Sequence, residues 1–486
     1  MNKYFSTIIK GTIAVSIANA GSQIINIILL PVYTRYLTPE DFGIFSLVNL
    51  IITFMALIYN PGIMTASIRM FHQTEKVKER QVLIGSLFVF FVVIPIIPIL
   101  LSVVFGDFIF NIIFSEFSFY PFGLMALILA FFTQPNKTWI TLKTLEHKLH
   151  KTAIYSIIAV VLSAITSVVL IVQYNMGAIG RVIGMFPSAI FLFIISFSSI
   201  KKFSENKWSS QSIKKQISFG APLIIGLWSL QLLNFTGSYL LERLMGIDQV
   251  GLFGFATTVA GIPLFLVLGF KQMWGPILYE NLNKKNYETI SKLTSSFIMI
   301  LSFFFIIFIL FIKEVILIFI DAQYFNSISI IGIIAIAVFF NGMLTISNSY
   351  MTYANRFGKI SIYAFISSIV CLLINLFFIP VYGITASAVA LVFGYLFWFL
   401  LSVFDQKELI FKINSKVENI YPIFYLIFVS IITFVLNKYY YVNQINIFEI
   451  FFKISLVFFY VFLLFKLKII TKSSLAILFK NSNPFK

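Results

Sequence analysis

The chain has 486 residues, of which 59% are apolar and only 11% charged, with a formal net charge of +17. An ordinary soluble domain carries about 25% charge, and disorder requires few apolar residues and high charge, so both classes are excluded. Three His, 18 acids and the single Cys371 give no basis for a metal cluster or an internal disulfide, and no cofactor is expected.

A membrane-crossing helix needs roughly 20 apolar residues. Runs of that kind fall at 11–33, 43–62, 83–106, 120–141, 153–173, 180–200 and 218–240. They continue at 251–272, 294–316, 328–352, 361–379, 383–403, 421–437 and 447–465. The first run is too long for a signal-peptide core and lacks a small-residue cleavage site, so it reads as a span. The composition therefore predicts an all-α integral membrane protein with about fourteen transmembrane helices.

Basic residues alternate between the two sets of loops. Of the 35 Lys and Arg, 27 lie on the tails and loops that share a side with the N-terminus. The positive-inside rule then places both termini in the cytoplasm. The excess charge is a topology signal rather than a nucleic-acid footprint, and no nucleic-acid partner is expected.

A shift of 208 residues superposes Gln23 on Gln231, Asn26 on Asn234, Arg35 on Arg243, Glu40 on Asp248, Gly43 on Gly251 and Phe45 on Phe253. The same shift pairs Lys148 with Arg356, Lys151 with Lys359 and Tyr155 with Tyr363. Six spans per repeat is an even number, so both halves enter the membrane from the same side. The expected architecture is two parallel six-helix lobes with substrate bound between them. Residues 1–210 form the first lobe and 211–405 the second. Residues 406–486 add two further spans and a cytoplasmic tail.

The segments PVYTRYLTPEDFGIFSL (31–47), ERLMGIDQVGLFGFATTVAGIPLFLVLGFKQMWGPILYE (242–280) and IPVYGITASAVA (379–390) resemble Wzx-type polysaccharide flippases. These form the polysaccharide transporter branch of the MATE-like (MOP) superfamily, which also holds drug exporters and lipid II flippases. The resemblance runs from about residue 10 to 405. It implies a flippase, not an enzyme, in the bacterial inner membrane. Its cargo would be a polyprenyl-diphosphate-linked oligosaccharide for O-antigen or capsule assembly. It also implies a cationic cavity between the lobes. The implied partners are the lipid-linked oligosaccharide, membrane lipids, a polysaccharide polymerase, a chain-length regulator and a coupling ion, H+ or Na+.

Such a headgroup needs fixed cations and hydrogen-bond donors in a wet cleft, and the guanidinium fork suits phosphate. Arg35 and Arg243 occupy equivalent positions at the outer ends of the first helix of each lobe. They read either as phosphate contacts or as turn pins bonded to Glu40, Asp41, Glu242 or Asp248. Gln23, Asn26, Gln231 and Asn234 lie at i and i+3 on one helix face, suited to sugar hydroxyls or to helix-helix packing. Lys137 and Lys271, near the inner ends of their spans, and Arg69 and Arg356 read as headgroup attractors or as cytoplasmic anchors. Arg181 reads as a rim residue on the outer side. Lys453 and Glu449 form an i,i+4 pair in the last span. Proton or sodium coupling ordinarily uses an intramembrane carboxylate, and the deep core of the lobes has none. The membrane potential acting on the cargo, at about 2.3 kcal/mol per charge per 100 mV, is the alternative drive. A small-molecule exporter would want a buried acid for a cationic drug, and a polymerase or ligase would want a catalytic group on a large outer loop. Spans 1 and 7 contain no acid except Glu242 just beyond the end of span 7, and the outer loops are short and contain no His.

Overall fold

The computed structural model describes residues 24–146, 149–221, 224–407, 420–439 and 446–466. Those residues are almost entirely helical and contain no strand. In a bilayer every backbone polar group must be satisfied within the chain, so an apolar run of this length has no alternative to helix.

Among the described residues the first half holds nine α-helices. They are α1 (Ile24–Tyr36), α2 (Pro39–Ile58), α3 (Ile63–Gln73), α4 (Val77–Val93), α5 (Ile96–Ile113), α6 (Leu124–Leu145), α7 (Leu149–Val168), α8 (Gly177–Ile183) and α9 (Phe186–Ser204). A connecting helix, α10 (Ser210–Gly220), leads to α11 (Ile224–Met245), α12 (Ile247–Ala260), α13 (Leu264–Asn283), α14 (Tyr287–Phe319), α15 (Ile328–Tyr353), α16 (Phe357–Tyr382) and α17 (Ile384–Asp405). Two more helices follow, α18 (Ile420–Tyr439) and α19 (Ile447–Lys466).

Where they fall on described residues, the apolar runs read from the sequence coincide with a helix or a broken pair, while residues 11–23 of the first run lie outside the described residues. Among the described residues nine helices are long and apolar enough to cross a membrane, or ten if the bent pair counts as one, against the fourteen expected. The differences have local causes. The third run is divided into α4 and α5 at Pro95, and the eighth is bent by 51° between α12 and α13, where Pro263 cannot continue the hydrogen-bond ladder. The basic segments 63–82 and 201–217 are not plain loops, because α3 and α10 form within them. Serine and threonine hydroxyls inside the bundle bond carbonyls one turn back, as in Thr34 to Leu30 (3.0 Å), Ser46 to Phe42 (2.8 Å) and Ser302 to Ile298 (2.7 Å). This satisfies a polar group at membrane depth without a second helix.

Packing repeats between the halves. In the first, α2 packs on α6, α4 on α6, α6 on α9 and α7 on α9. At the equivalent places in the second, α12 packs on α15, α14 on α15, α15 on α17 and α16 on α17. Leu29, Tyr33 and Leu37 meet Val168 and Ile171, which ties α1 to the end of α7 as α11 is tied to α16. The halves meet chiefly where α2 packs on α12 and α11.

The last two helices join the second half, with α18 against α14 and α15 and α19 against α14. A buried charge quartet fastens α19. Lys313 reaches Glu449 at 2.8 Å, and Lys453 reaches Glu314 at 2.5 Å and Glu449 at 2.7 Å. The i,i+4 pair expected in the last span is therefore part of a larger network. Lys313 is buried in it at 1% exposure.

Candidate functional site

Two ends of the bundle differ in character. One carries the Lys- and Arg-rich loops and is called here the basic end. The other, the far end, carries the α1–α2, α5–α6, α11–α12 and α14–α15 connections.

At the far end α2 and α12 cross with almost no space between their backbones. A Cβ added to Gly43 would lie 2.3 Å from the Ile247 carbonyl oxygen, and one added to Gly251 would lie 1.7 Å from that of Pro39. One turn on, a Cβ on Gly254 would meet the Ser46 Oγ at 2.1 Å. Small residues spaced in this way let two membrane helices approach backbone to backbone. Gly43 and Gly251 are equivalent under the 208-residue shift, so the crossing lies on the pseudo-symmetry axis of the repeat.

Two connections clasp the crossing. Glu242, at the end of α11, is 1% exposed. Its Oε1 accepts the backbone N–H groups of Ser115 (2.7 Å), Glu116 (2.6 Å) and Phe117 (3.1 Å) from the α5–α6 connection. Glu116 returns a bond, accepting the Ile247 N–H at 2.9 Å. On the opposite flank the α14–α15 connection docks on the α1–α2 turn. Gln323 Nε2 donates to the carbonyls of Thr34 (2.9 Å) and Leu37 (3.1 Å), and the Tyr324 hydroxyl to those of Leu37 (2.9 Å) and Thr38 (3.0 Å).

Below this closure, toward the basic end, α2 and α11 diverge. A cleft of about 210 Å³ lies between them, lined by Asn49, Leu50, Thr53, Phe54, Gln231, Asn234 and Phe235. Its polar lining is amide and hydroxyl, with the Asn234 Oδ1 accepting from the Tyr395 hydroxyl at 3.1 Å and its Nδ2 donating to the Leu230 carbonyl at 3.1 Å. Amides and hydroxyls both donate and accept, which matches sugar hydroxyls. No charged side chain is among the lining residues.

At the basic end the hydrogen bonds tie neighbouring loops. Gln216 joins Ser67 (2.9 Å) and the Leu83 carbonyl (3.1 Å). Arg356 and Lys359 hold Asp405 at 2.7 and 2.5 Å. Bonds from Lys207 and Gln81 hold the exposed Glu205 carboxyl below its ordinary value.

The residues singled out in the sequence are dispersed. Gln231 and Asn234 line the cleft. Asn26 is exposed on α1, and Gln23 lies outside the described residues. Arg35 is exposed at the far end, and no ion pair with Glu40 or Asp41 is present among the described residues. Asp41 instead forms a capping box with Thr38 and accepts the Ala178 N–H at 2.8 Å. Arg243 is equivalent in sequence but differs in role. It donates to the carbonyls of Ile112 (3.0 Å) and Ile113 (3.4 Å), capping the C-terminus of α5. Arg181 is not at a rim. It is 8% exposed inside the first half, 4.0 Å from the Tyr33 ring centroid and 4.5 Å from that of Phe45. Lys137 is half-buried on α6, with no bonded partner among the described residues, and Lys271 is exposed. Arg69 is exposed and lies over the Phe219 ring at 4.9 Å. Arg356 is committed to Asp405.

The sequence reading missed Asn49 and Thr53. An i,i+4 polar pair on an otherwise apolar helix was the available signal. It also missed the clasp residues Glu116 and Tyr324, which are themselves related by the 208-residue shift.

Residues 8–282 match the family described as polysaccharide biosynthesis protein. No curated protein matches the chain. Among solved structures, the chain is similar to the lipid II flippase MurJ in an inward closed conformation, with 17% identity over 94% of this chain and 100% of that one, at a TM-score of 0.69. It is also similar to an inward-facing multidrug resistance MATE transporter of the MOP superfamily, with 12% identity over 83% of this chain and 96% of that one, at a TM-score of 0.64. The outward-facing conformation of a MATE transporter matches at a TM-score of 0.58, with 14% identity over 84% of this chain and 96% of that one. The chain belongs to the polysaccharide biosynthesis protein family and shares the fold of the MurJ and MATE structures, with many apolar helices long enough to cross a membrane.

Proposed function

We propose that the protein moves a polyprenyl-diphosphate-linked oligosaccharide from the cytoplasmic to the outer leaflet of the bacterial inner membrane, by alternating access, for O-antigen or capsule assembly. The observation that carries this reading is the cleft between α2 and α11, lined by Asn49, Thr53, Gln231 and Asn234 and sealed at the far end. The positive-inside rule assigns the basic end, and with it both termini, to the cytoplasm, so the cleft faces the leaflet where the cargo is made. The moving bodies are residues 1–210 and 211–405, with 406–486 travelling with the second.

The cleft is smaller than the roughly 300–1,000 Å³ of a drug-sized site. The halves therefore part further at the basic end before a headgroup enters. The amides read the sugar. The diphosphate is met on entry by Lys137, Lys271 and Arg69, and on exit by Arg35 at the far end, while the isoprenoid tail stays in lipid. Arg181, Arg243 and Arg356 act indirectly by holding helices. The neutral lining favours this reading over a cationic-drug exporter, which would need an acid in the cleft. A proton, a sodium ion or the membrane potential drives the cycle, and a polymerase and chain-length regulator receive the product.

The test is a deletion strain with no second flippase. Surface glycan is quantified and lipid-linked intermediates are profiled by mass spectrometry. The expected result is lost glycan and an accumulated, intact oligosaccharide on polyprenyl diphosphate. Wild type restores export, and Asn49→Ala/Gln231→Ala/Asn234→Ala restores it poorly at equal expression. Normal glycan with no lipid intermediate would overturn the proposal.

A further inference from the structure

The two clasps at the far end are related by the internal repeat but differ in chemistry. Each is a connection following the third span of one half, docked on the turn between the first two helices of the other. In the α14–α15 clasp, neutral side chains donate to backbone carbonyls. In the α5–α6 clasp, one buried carboxylate oxygen gathers three backbone N–H groups. Hydrogen bonds to an ionised acceptor are roughly twice as strong as neutral ones. The equivalent position in the first half is Thr34, whose carbonyl is the acceptor there.

We infer that Glu242 is the gate-holding residue of the transport cycle, the group whose contacts with Ser115, Glu116 and Phe117 set the balance between the far end closed and the far end open. This inference rests on the alternating-access reading above. It names the residue that biases the two states.

The geometry links the crossing to the clasp. Gly43 and Gly251 let α2 and α12 touch backbone to backbone, with no room for a side chain between them. Opening the far end separates α2 from α12 and so pulls the α11–α12 turn from the α5–α6 connection. Glu242 then surrenders three N–H partners at once, and water entering the open gate replaces them. The neutral clasp surrenders weaker bonds to carbonyls that water also satisfies. Glu242 thus weights the equilibrium toward closure more than Gln323 or Tyr324 does. A ligand or variant can shift such an equilibrium only through differential interaction with the two states.

The experiment reads cleft accessibility from each side of the membrane. Asn49→Cys is the reporter, and buried Cys371, the chain's one cysteine, is the unreactive background. A membrane-impermeant maleimide is applied to intact spheroplasts for the far side and to inverted vesicles for the basic side. Glu242→Ala is expected to raise far-side labelling roughly tenfold or more, since the net contribution of each lost charge-assisted bond is about tenfold in an equilibrium. Labelling from the basic side should fall in the same variant. The isosteric Glu242→Gln keeps an acceptor and the fold but loses the charge, and should give a smaller shift of the same sign. Tyr324→Phe should change labelling less than about threefold.

A defect of folding alone would raise labelling from both sides. That result, or unchanged labelling in a well-folded Glu242→Gln and Glu242→Ala, would overturn the inference and leave closure to the glycine crossing. The readout needs no cargo. Glycan is scored separately, for the Glu242 variants in a chain that keeps Asn49: a gate shift without any glycan phenotype would fault the substrate assignment, and a glycan phenotype without a gate shift would fault the role of Glu242.

Discussion

The two halves bury positive charge in different ways. In the first half, Arg181 lies on the faces of Tyr33 and Phe45 and donates to the Tyr33 hydroxyl at 2.9 Å and the Ser167 hydroxyl at 3.1 Å. It has no carboxylate at ion-pair distance among the described residues. In the second half, Lys313 and Lys453 are balanced by Glu314 and Glu449, at exposures of 1% for each lysine. A guanidinium is weakly hydrated and spreads its charge over a plane, so aromatic faces and hydroxyls can hold it. An ammonium is a compact charge and at this depth requires anions. The consequence is mechanical. Arg181 holds helices within one half, whereas the quartet joins a helix outside the repeat, α19, to α14.

The largest expected effect comes from unbalancing the quartet. Lys453→Met leaves Glu314 and Glu449 with one lysine between them, and breaking a buried ion network in this way costs about 3–5 kcal/mol. The measurement is thermal unfolding in detergent, followed by a thiol-reactive dye at Cys371, which is buried until the fold opens. Replacing all four members by apolar residues of similar size should restore most of the loss, because no charge is then left alone. If the single variant lost less than about 1 kcal/mol, the quartet would be solvated rather than buried. Arg181→Met should cost less, about 1–2 kcal/mol, from lost cation–π and hydroxyl contacts. A loss as large as that of Lys453→Met would show that Arg181 has an anionic partner and would collapse the contrast between the halves.

How much of this was legible in the sequence follows from where the partners lie. The helices were legible because the bilayer admits nothing else for these runs. The crossing was half legible, since Gly43 and Gly251 fall at one offset, although only the structure brings them into contact. Gln231 and Asn234 were legible as a face. The pair Glu449–Lys453 was legible as an i,i+4 spacing, but Lys313 and Glu314 were not, because nothing local links α14 to α19. Arg243 was read as a phosphate contact or as a turn pin, with Glu242 as one of its acid partners. Both instead bond main-chain atoms of a segment some 125–131 residues away, and backbone N–H and C=O groups carry no residue signature. Arg181 was placed at a rim because it begins an apolar run. Its burial depends on the ring of Tyr33, which belongs to another helix.

The smallest expected effect isolates burial from geometry. Glu449–Lys453 and Glu280–Lys284 are the same residues in the same order at i,i+4. Their separations are also alike, 2.7 Å in α19 and 2.6 Å in α13. The first pair is 2% and 1% exposed, the second 63% and 66%. In water the Coulomb gain of such a pair is largely offset by side-chain entropy and salt screening, so Lys284→Ala should move stability by only about 0.3–0.5 kcal/mol, and less in high salt. Lys453 offers no such tolerance, because its partners would remain buried and charged. A Lys284→Ala loss above about 1 kcal/mol, resistant to salt, would mean that the basic end is packed against something that excludes water there. A small loss, set beside a large one for Lys453, would show that the ion pair's distance decides little and its surroundings decide the rest.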